Sequence, residues 1–188
     1  MSDSIRNYIK LRNYISPDVC GSLVEAISKE KWNMHQWTYH NDIAAPGDTS
    51  TELSVQAASE VHNHIVMPYI INALQDYIHS FPDYIASRDW FKYGCNVRFN
   101  RYDTNTLMKM HFDHITSLFD GERKGIPVLS VVGLLNNDYE GGEFIFFKDY
   151  KIELKVGDIM VFPSNFIYPH RVDQITKGTR YSFVSWAW

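Results

Sequence analysis

The sequence predicts a mainly β protein of one domain, with a double-stranded β-helix (jelly-roll) core buttressed by helices from an N-terminal part. Three observations lead there. From about residue 91 the chain breaks into short extended runs separated by turns such as Asn136-Asn137-Asp138, Gly141-Gly142 and Gly157-Asp158. Before that point apolar residues recur at helical intervals. Aromatic residues make up 15% of the chain and gather in runs rich in Val, Ile, Phe and Tyr, the composition of a pleated interior rather than a helix bundle. With 188 residues, 45% of them hydrophobic, there is material for one proper core. A single domain over 1–188 is expected, its residues 1–90 forming mainly helical support and a lid and its residues 91–188 the β-helix core.

Ser16-Pro17-Asp18 opens the first helix: Ser caps free amide hydrogens, Pro fits the first helical position, and Asp favours the positive end of the dipole. Val19, Leu23 and Ile27 then recur every four residues, marking the buried face of a helix that reaches about Lys31. Residues 38–51 are polar and contain Pro46-Gly47-Asp48, so they read as an exposed loop, with His40 to Ser50 expected to form a mobile lid. A second helix is expected from about Thr51 to His79, with Val61, Ile65, Ala73, Leu74 and Ile78 in its core face and Pro68 kinking or dividing it. The extended runs that follow cover 93–102, 107–114, 128–135, 142–147, 151–156, 158–163, 166–172 and 179–186.

A net charge of −4 with mixed signs gives no electrostatic footprint for a nucleic-acid backbone or an anionic membrane, so neither is an expected partner. Cys20 and Cys95 lie far apart and suit neither a disulfide framework nor a zinc site, which fits a reducing compartment. There is no signal-like apolar stretch at the N-terminus and no run of about 18 apolar residues. A soluble, cytoplasmic protein is expected.

His111-Phe112-Asp113 falls in a predicted strand, where side chains two apart point the same way and can face one metal ion. Alone, the triplet is weak evidence, because His-x-Asp arises readily by chance. About sixty residues later His170 supplies a further ligand, and Arg180 follows ten residues on. Two His and one carboxylate on one face of an octahedral ion leave three positions open, the arrangement of non-haem Fe(II) oxygenases. Those positions suit a bidentate 2-oxo acid and O₂. Arg180 suits the distal carboxylate of that acid, being a planar two-point fork that stays charged when buried. Alternation puts Arg180, Ser182, Val184 and Trp186 on one face, directed at the barrel interior. His114 points the opposite way, and His62 and His64 in the helical part read as solvated or partly buried.

Further residues keep the same order along the chain. Tyr102 stands nine before His111, Leu135-Asn136 precedes Glu140-Gly141-Gly142-Glu143-Phe144, Val156-Gly157-Asp158 leads into an apolar run ending at Phe162, and Trp186 follows Arg180. In this ordered series the chain resembles the prolyl-hydroxylase-like branch of the 2-oxoglutarate/Fe(II) oxygenases, over roughly Val97 to Trp188. The resemblance implies Fe(II) held by His111, Asp113 and His170, and 2-oxoglutarate anchored by Arg180. Tyr102, Ser130 and Ser182 are further candidates for contact with the co-substrate, although Tyr102 also reads as an ordinary core aromatic and Trp186 more readily as core than as a contact. It implies conversion of 2-oxoglutarate and O₂ to succinate and CO₂ with hydroxylation of a substrate, first of all a proline of a peptide or protein at C4. The alternatives are another protein side chain, a free amino acid or a nucleic acid as target, or a non-catalytic jelly-roll binding module. A zinc hydrolase with the same ligands would not need Arg180. One departure concerns Leu134, which stands where relatives often carry a Tyr that binds the co-substrate. Ser130, four residues earlier on the same face, is then expected to assist Arg180.

Overall fold

The computed structural model describes residues 3–38, 44–46, 51–82, 96–113 and 127–188. A 3-10 turn over Asp3–Tyr8 leads into strand β1 (Lys10–Asn13) and helix α1 (Pro17–Ser28). Strands β2 (Asn33–Met34), β3 (Gln36–Thr38), β4 (Ala44–Pro46) and β5 (Ser54–Ala57) precede helix α2 (Glu60–His79). There follow β6 (Arg98–Tyr102), β7 (Met108–His111), β8 (Leu129–Leu134), β9 (Glu140–Gly141) and β10 (Phe144–Phe146). The chain ends with β11 (Tyr150–Ile152), β12 (Asp158–Pro163), β13 (His170–Val172), β14 (Ile175–Lys177) and β15 (Arg180–Ala187).

A large sheet runs in the order β1-β12-β8-β15-β6-β5-β2, and a smaller one in the order β11-β10-β13-β7. Alternation along the central strands explains how they stack. On β12, Ile159 and Val161 join the core beneath the helices, while Met160 and Phe162 join a second core with Phe144, Phe146 and Val172 of the smaller sheet. On β8, Leu129 and Val131 face the helices and Val132 faces the smaller sheet. Both faces of the large sheet are therefore dry, which is why β8 is buried at all six positions. This is the predicted jelly-roll sandwich, with helices on its outer face.

Ser16 caps α1 as expected, its Oγ accepting from the Val19 amide, but the helix ends at Ser28, short of Lys31. Its deepest stripe is Cys20, Leu23 and Ile27, with Val19 at the margin. The second helix departs further from expectation. Residues 54–57 are a strand paired with β6, and α2 starts only at Glu60, capped by the Ser59 hydroxyl. It buries His62, Val66, Ile70, Ala73, Leu74 and Tyr77, leaving Val61 67% and Ile65 39% exposed and Ile78 at the margin. Apolar residues lie on more than one side of this helix, so docking onto the sheet rather than periodicity selects its buried face. His62 is correspondingly buried, its ring edge-on to Phe99, whereas His64 is exposed. α2 runs unbroken through Pro68, which is exposed, where solvent can replace the missing backbone bond.

Within the expected 38–51 loop, β4 pairs with β3, so part of that segment is a ribbon. The remainder of the lid segment from His40 to Ser50 lies outside the described residues, as do Cys95 and His114. Three strands from before residue 91, β1, β2 and β5, are built into the large sheet.

Candidate active site

The inward faces of β6 and β15 and the ends of β7 and β13 meet around one cavity. His111 and His170 are directly opposed partners on β7 and β13, with ring centroids 4.3 Å apart. β7 ends at His111, so Asp113 reaches the site from just beyond the strand rather than by strand alternation. Its Oδ1 lies 3.4 Å from His111 Nε2 and 3.8 Å from His170 Nε2. One ligand atom from each of the three side chains falls within 4.8 Å of the others.

The surroundings set the chemical state of these groups. His111 Nδ1 is 2.8 Å from the Lys109 carbonyl and His170 Nδ1 is 3.1 Å from the Tyr168 carbonyl. Each ring therefore donates through Nδ1 and turns an Nε2 lone pair toward the carboxylate, the tautomer a metal ligand needs. His170 stacks on Phe144 and lies against Phe162. Burial, aided by the nearby His111, pushes its pKa down to about 4, which keeps the ring neutral near pH 7. Burial alone would raise the Asp113 carboxyl, but His170, His111 and the Ser130 hydroxyl outweigh it and hold it below the usual carboxylate range. Ser130 Oγ donates to Asp113 Oδ2 at 2.6 Å and lies 2.8 Å from Ser164 Oγ. Asp113 is thus fixed through one oxygen, with the other turned to the two imidazoles.

Arg180 is 1% exposed. Its Nη1 donates to Ser182 Oγ at 3.0 Å, and its guanidinium carbon lies 5.1 Å from the Tyr102 ring centroid. Among the described residues its Nε finds no acceptor and no carboxylate pairs with it. Gly142, with φ +70°, lets the backbone pass close by, since a Cβ there would stand 3.2 Å from Arg180 Cδ and 2.4 Å from Ile175 Cδ1. A buried cation without a counter-charge is costly. Two imidazole lone pairs, a carboxylate oxygen and this guanidinium fit a divalent metal together with an anionic acid.

The seven candidate residues stand as follows. His111, Asp113 and His170 converge, and Arg180, Ser182 and Tyr102 share their cavity. Ser130 has other partners than the expected one: it bonds Asp113 and Ser164 rather than Arg180. The register gives the reason, since Ser130 is opposite Trp186 while Leu134 is opposite Ser182, so Ser130 sits at the end of the face far from Arg180. Trp186 lines the cavity together with Arg98 and Asn100, two residues the sequence reading missed. Counting back in twos from Tyr102 would have found them. Trp37 was missed as well. Its ring is edge-on to His111 with centroids 5.7 Å apart, and its Nε1 donates to the buried Glu52 at 2.9 Å. Only tertiary structure brings that group to the site.

Residues 97–188 match the family described as the 2OG-Fe(II) oxygenase superfamily. A PKHD-type hydroxylase of Methylobacterium nodulans is 34% identical over 95 residues, covering 47% of this chain and 41% of the relative. Another, from Idiomarina loihiensis, is 34% identical over 99 residues, covering 50% of this chain and 43% of the relative. The chain thus spans less than half the length of these curated relatives. Among solved structures, a collagen prolyl hydroxylase of Paramecium Bursaria Chlorella virus-1, in complex with 2OG, superposes with a TM-score of 0.68 at 16% identity, covering 96% of this chain and 94% of that one. A prolyl-4-hydroxylase of Pseudomonas putida gives 0.66 at 16% identity, with 98% and 94% covered. A Trichoplax adhaerens prolyl hydroxylase, complexed with a hypoxia inducible factor peptide fragment, gives 0.66 at 12% identity, with 99% and 86% covered. These likenesses establish the jelly-roll fold across nearly the whole chain. The stretch similar to the 2OG-Fe(II) oxygenase superfamily, residues 97–188, is the one that carries the converging His111, Asp113 and His170 and the buried Arg180.

Proposed function

We propose that this protein is a 2-oxoglutarate- and Fe(II)-dependent dioxygenase that hydroxylates a peptide or protein, with proline at C4 the first candidate target. The observation that carries the reading is the convergence of His111, Asp113 and His170 in one cavity with a buried Arg180 that has no carboxylate partner among the described residues. A site of action in the cytoplasm is part of the reading, in keeping with the free, buried Cys20.

His111 and His170 would hold Fe(II) through Nε2, each ring fixed by its Nδ1 bond to a backbone carbonyl. Asp113 would hold it through Oδ1 while Ser130 fixes Oδ2. Arg180 would bind the distal carboxylate of 2-oxoglutarate, with Ser182 orienting the guanidinium and Tyr102 forming the wall beneath it. Val132, Phe144, Val172 and Val184 line the same cavity and exclude water. When bound, the iron with its 2-oxo acid supplies the oxidising chemistry, consuming O₂, releasing succinate and CO₂ and delivering one oxygen atom to a substrate C–H bond. The choice of proline leans on the relatives, several of which are prolyl hydroxylases by name, one of them complexed with a peptide.

The test is mass spectrometry of proline-containing peptides incubated with the protein, Fe(II), 2-oxoglutarate and O₂, with succinate measured in parallel. Gain of one oxygen on proline, dependent on all three, is the expected result. Metal and 2-oxoglutarate binding with no succinate under any condition would turn the reading toward a non-catalytic binding module.

A further inference from the structure

Strand alternation gives the cavity a second arginine that the metal site and the co-substrate do not use. Arg98 lies on the same face of β6 as Tyr102, but it pairs in register with Val184, whereas Tyr102 pairs with Arg180. Four residues of strand, about 13 Å at ~3.3 Å per residue, separate the two rows. The two arginines therefore enter the cavity from different rows of the sheet.

The surroundings of Arg98 are those of a poised cation. Its guanidinium carbon lies 5.1 Å from the centroid of the Trp186 ring, and its Nε donates to Asn100 Oδ1 at 3.2 Å. Stacking on an indole and one bond to an amide orient the group without supplying a negative charge. Asp113 acts on Arg98 through space but does not pair with it, because its two oxygens face the imidazoles and Ser130. A metal at Asp113 would compensate that charge and leave Arg98 without a counter-ion. Among the described residues no other carboxylate reaches Arg98. Beside it, the buried Trp186 Nε1 hydrogen has no acceptor among the described residues. A guanidinium that no carboxylate pairs among the described residues and an indole N–H with no acceptor among them thus line the same cavity as Arg180.

We infer that Arg98 and Trp186 form the substrate's recognition position, and that the substrate carries a free carboxylate near the carbon to be hydroxylated. This rests on the reading of the site as a 2-oxoglutarate-dependent hydroxylase and narrows its substrate class. The carboxylate has two sources, the α-carboxylate of a free or C-terminal residue, or an acidic side chain next to the target residue. An internal proline flanked only by neutral residues leaves Arg98 and Trp186 unsatisfied and is a poor ligand.

The experiment uses the Zn(II)-loaded, 2-oxoglutarate-bound protein, which cannot turn over, and calorimetric titration with matched acid and neutral probes. N-acetyl-L-proline is compared with N-acetyl-L-prolinamide, and N-acetyl-prolyl-glutamate amide with its prolyl-glutamine counterpart. In at least one pair the acid should bind roughly tenfold to a hundredfold more tightly, as expected for a charge-assisted hydrogen bond. Which pair responds identifies the source of the carboxylate. Arg98→Gln should abolish the preference and Arg98→Lys should keep part of it, with circular dichroism confirming that both variants fold. The affinity for 2-oxoglutarate should stay the same in both. The inference is overturned when neither acid is preferred, when the preference survives Arg98→Gln, or when Arg98→Gln weakens 2-oxoglutarate itself by tenfold, since Arg98 would then serve the co-substrate. Failure of the wild-type protein to bind Zn(II) or 2-oxoglutarate would instead strike at the proposed function.

Discussion

Replacing Ser130 by Ala tests how Asp113 is held. The substitution removes a hydroxyl that donates to Asp113 Oδ2 at 2.6 Å and touches Ser164 Oγ at 2.8 Å, both inside the protein. Because the single Ser130 hydrogen goes to the carboxylate, Ser164 must be the donor in the second contact. A hydrogen bond to a charged group contributes about 1.5–3 kcal/mol. At about 1.4 kcal/mol per factor of ten, its loss corresponds to roughly tenfold to hundredfold weaker metal binding, the range typical of groups that orient a ligand. The orphaned Ser164 hydroxyl adds about 1 kcal/mol of destabilisation that does not depend on metal, equivalent to about 2–4 °C in melting temperature. Zn(II) titration and thermal melts of the metal-free protein separate the two effects. Ser164→Ala is the control, since Ser130 keeps its hydrogen on Asp113 and metal affinity should fall by less than about threefold. Wild-type Zn(II) affinity in a folded Ser130→Ala protein would refute the reasoning, because Asp113 would then need no help to ligate.

Three further outcomes are expected. His111→Ala, Asp113→Ala and His170→Ala should each lose bound iron and turnover while keeping a native circular dichroism spectrum, and full iron content in any of them would remove that residue from the ligand set. Arg180→Ala should raise the 2-oxoglutarate requirement by roughly ten- to a hundredfold or more, with Arg180→Lys partly restored because it keeps the charge but not the fork; calorimetric titration of 2-oxoglutarate reads this directly. Gly157→Ala should cost about 2–3 kcal/mol in denaturant melts, since φ is +82° there and a Cβ would stand 1.9 Å from the Ile15 carbonyl oxygen, so an unchanged midpoint would contradict the turn geometry.

The residues that sequence reading located best are those whose neighbours in space are fixed by strand alternation. Arg180, Ser182 and Trp186 line one cavity because β15 is regular from Arg180 to Ala187. Asp113 lies beside the two imidazoles, but from past the end of β7 and held by Ser130 rather than by the pleat. The role of Ser130 was misjudged because direction along a strand can be read from sequence but the register against its partner cannot. Register put Ser130 opposite Trp186, with Arg180 at the other end. Val61 and Ile65 failed for a related reason: a helix with apolar residues on several sides can dock on more than one of them. Trp37 and Glu52 had no local signal at all. Their position beside His111 and Lys109 depends on how β3 and the segment before β5 fold back on the sheet.

The segment from the 3-10 turn to β1 has a consequence for how the chain folds. β1 pairs with β12 along Lys10↔Val161 to Asn13↔Asp158, and the Tyr168 hydroxyl donates to the carbonyl of Ile5. On the helical side, the Tyr77 hydroxyl donates to the Tyr8 carbonyl. One short stretch thus ties the large sheet, the loop leading to His170 and α2, across sequence separations of up to 163 residues. Closing loops of that length is entropically slow, and β topologies rich in distant contacts fold on the order of milliseconds to seconds. Until residues 158–168 have been synthesised, β1 has no partner and the edge of the large sheet stays unfinished. The side chain that completes the metal-ligand set, His170, therefore comes into place at the same late stage of assembly that seals this edge.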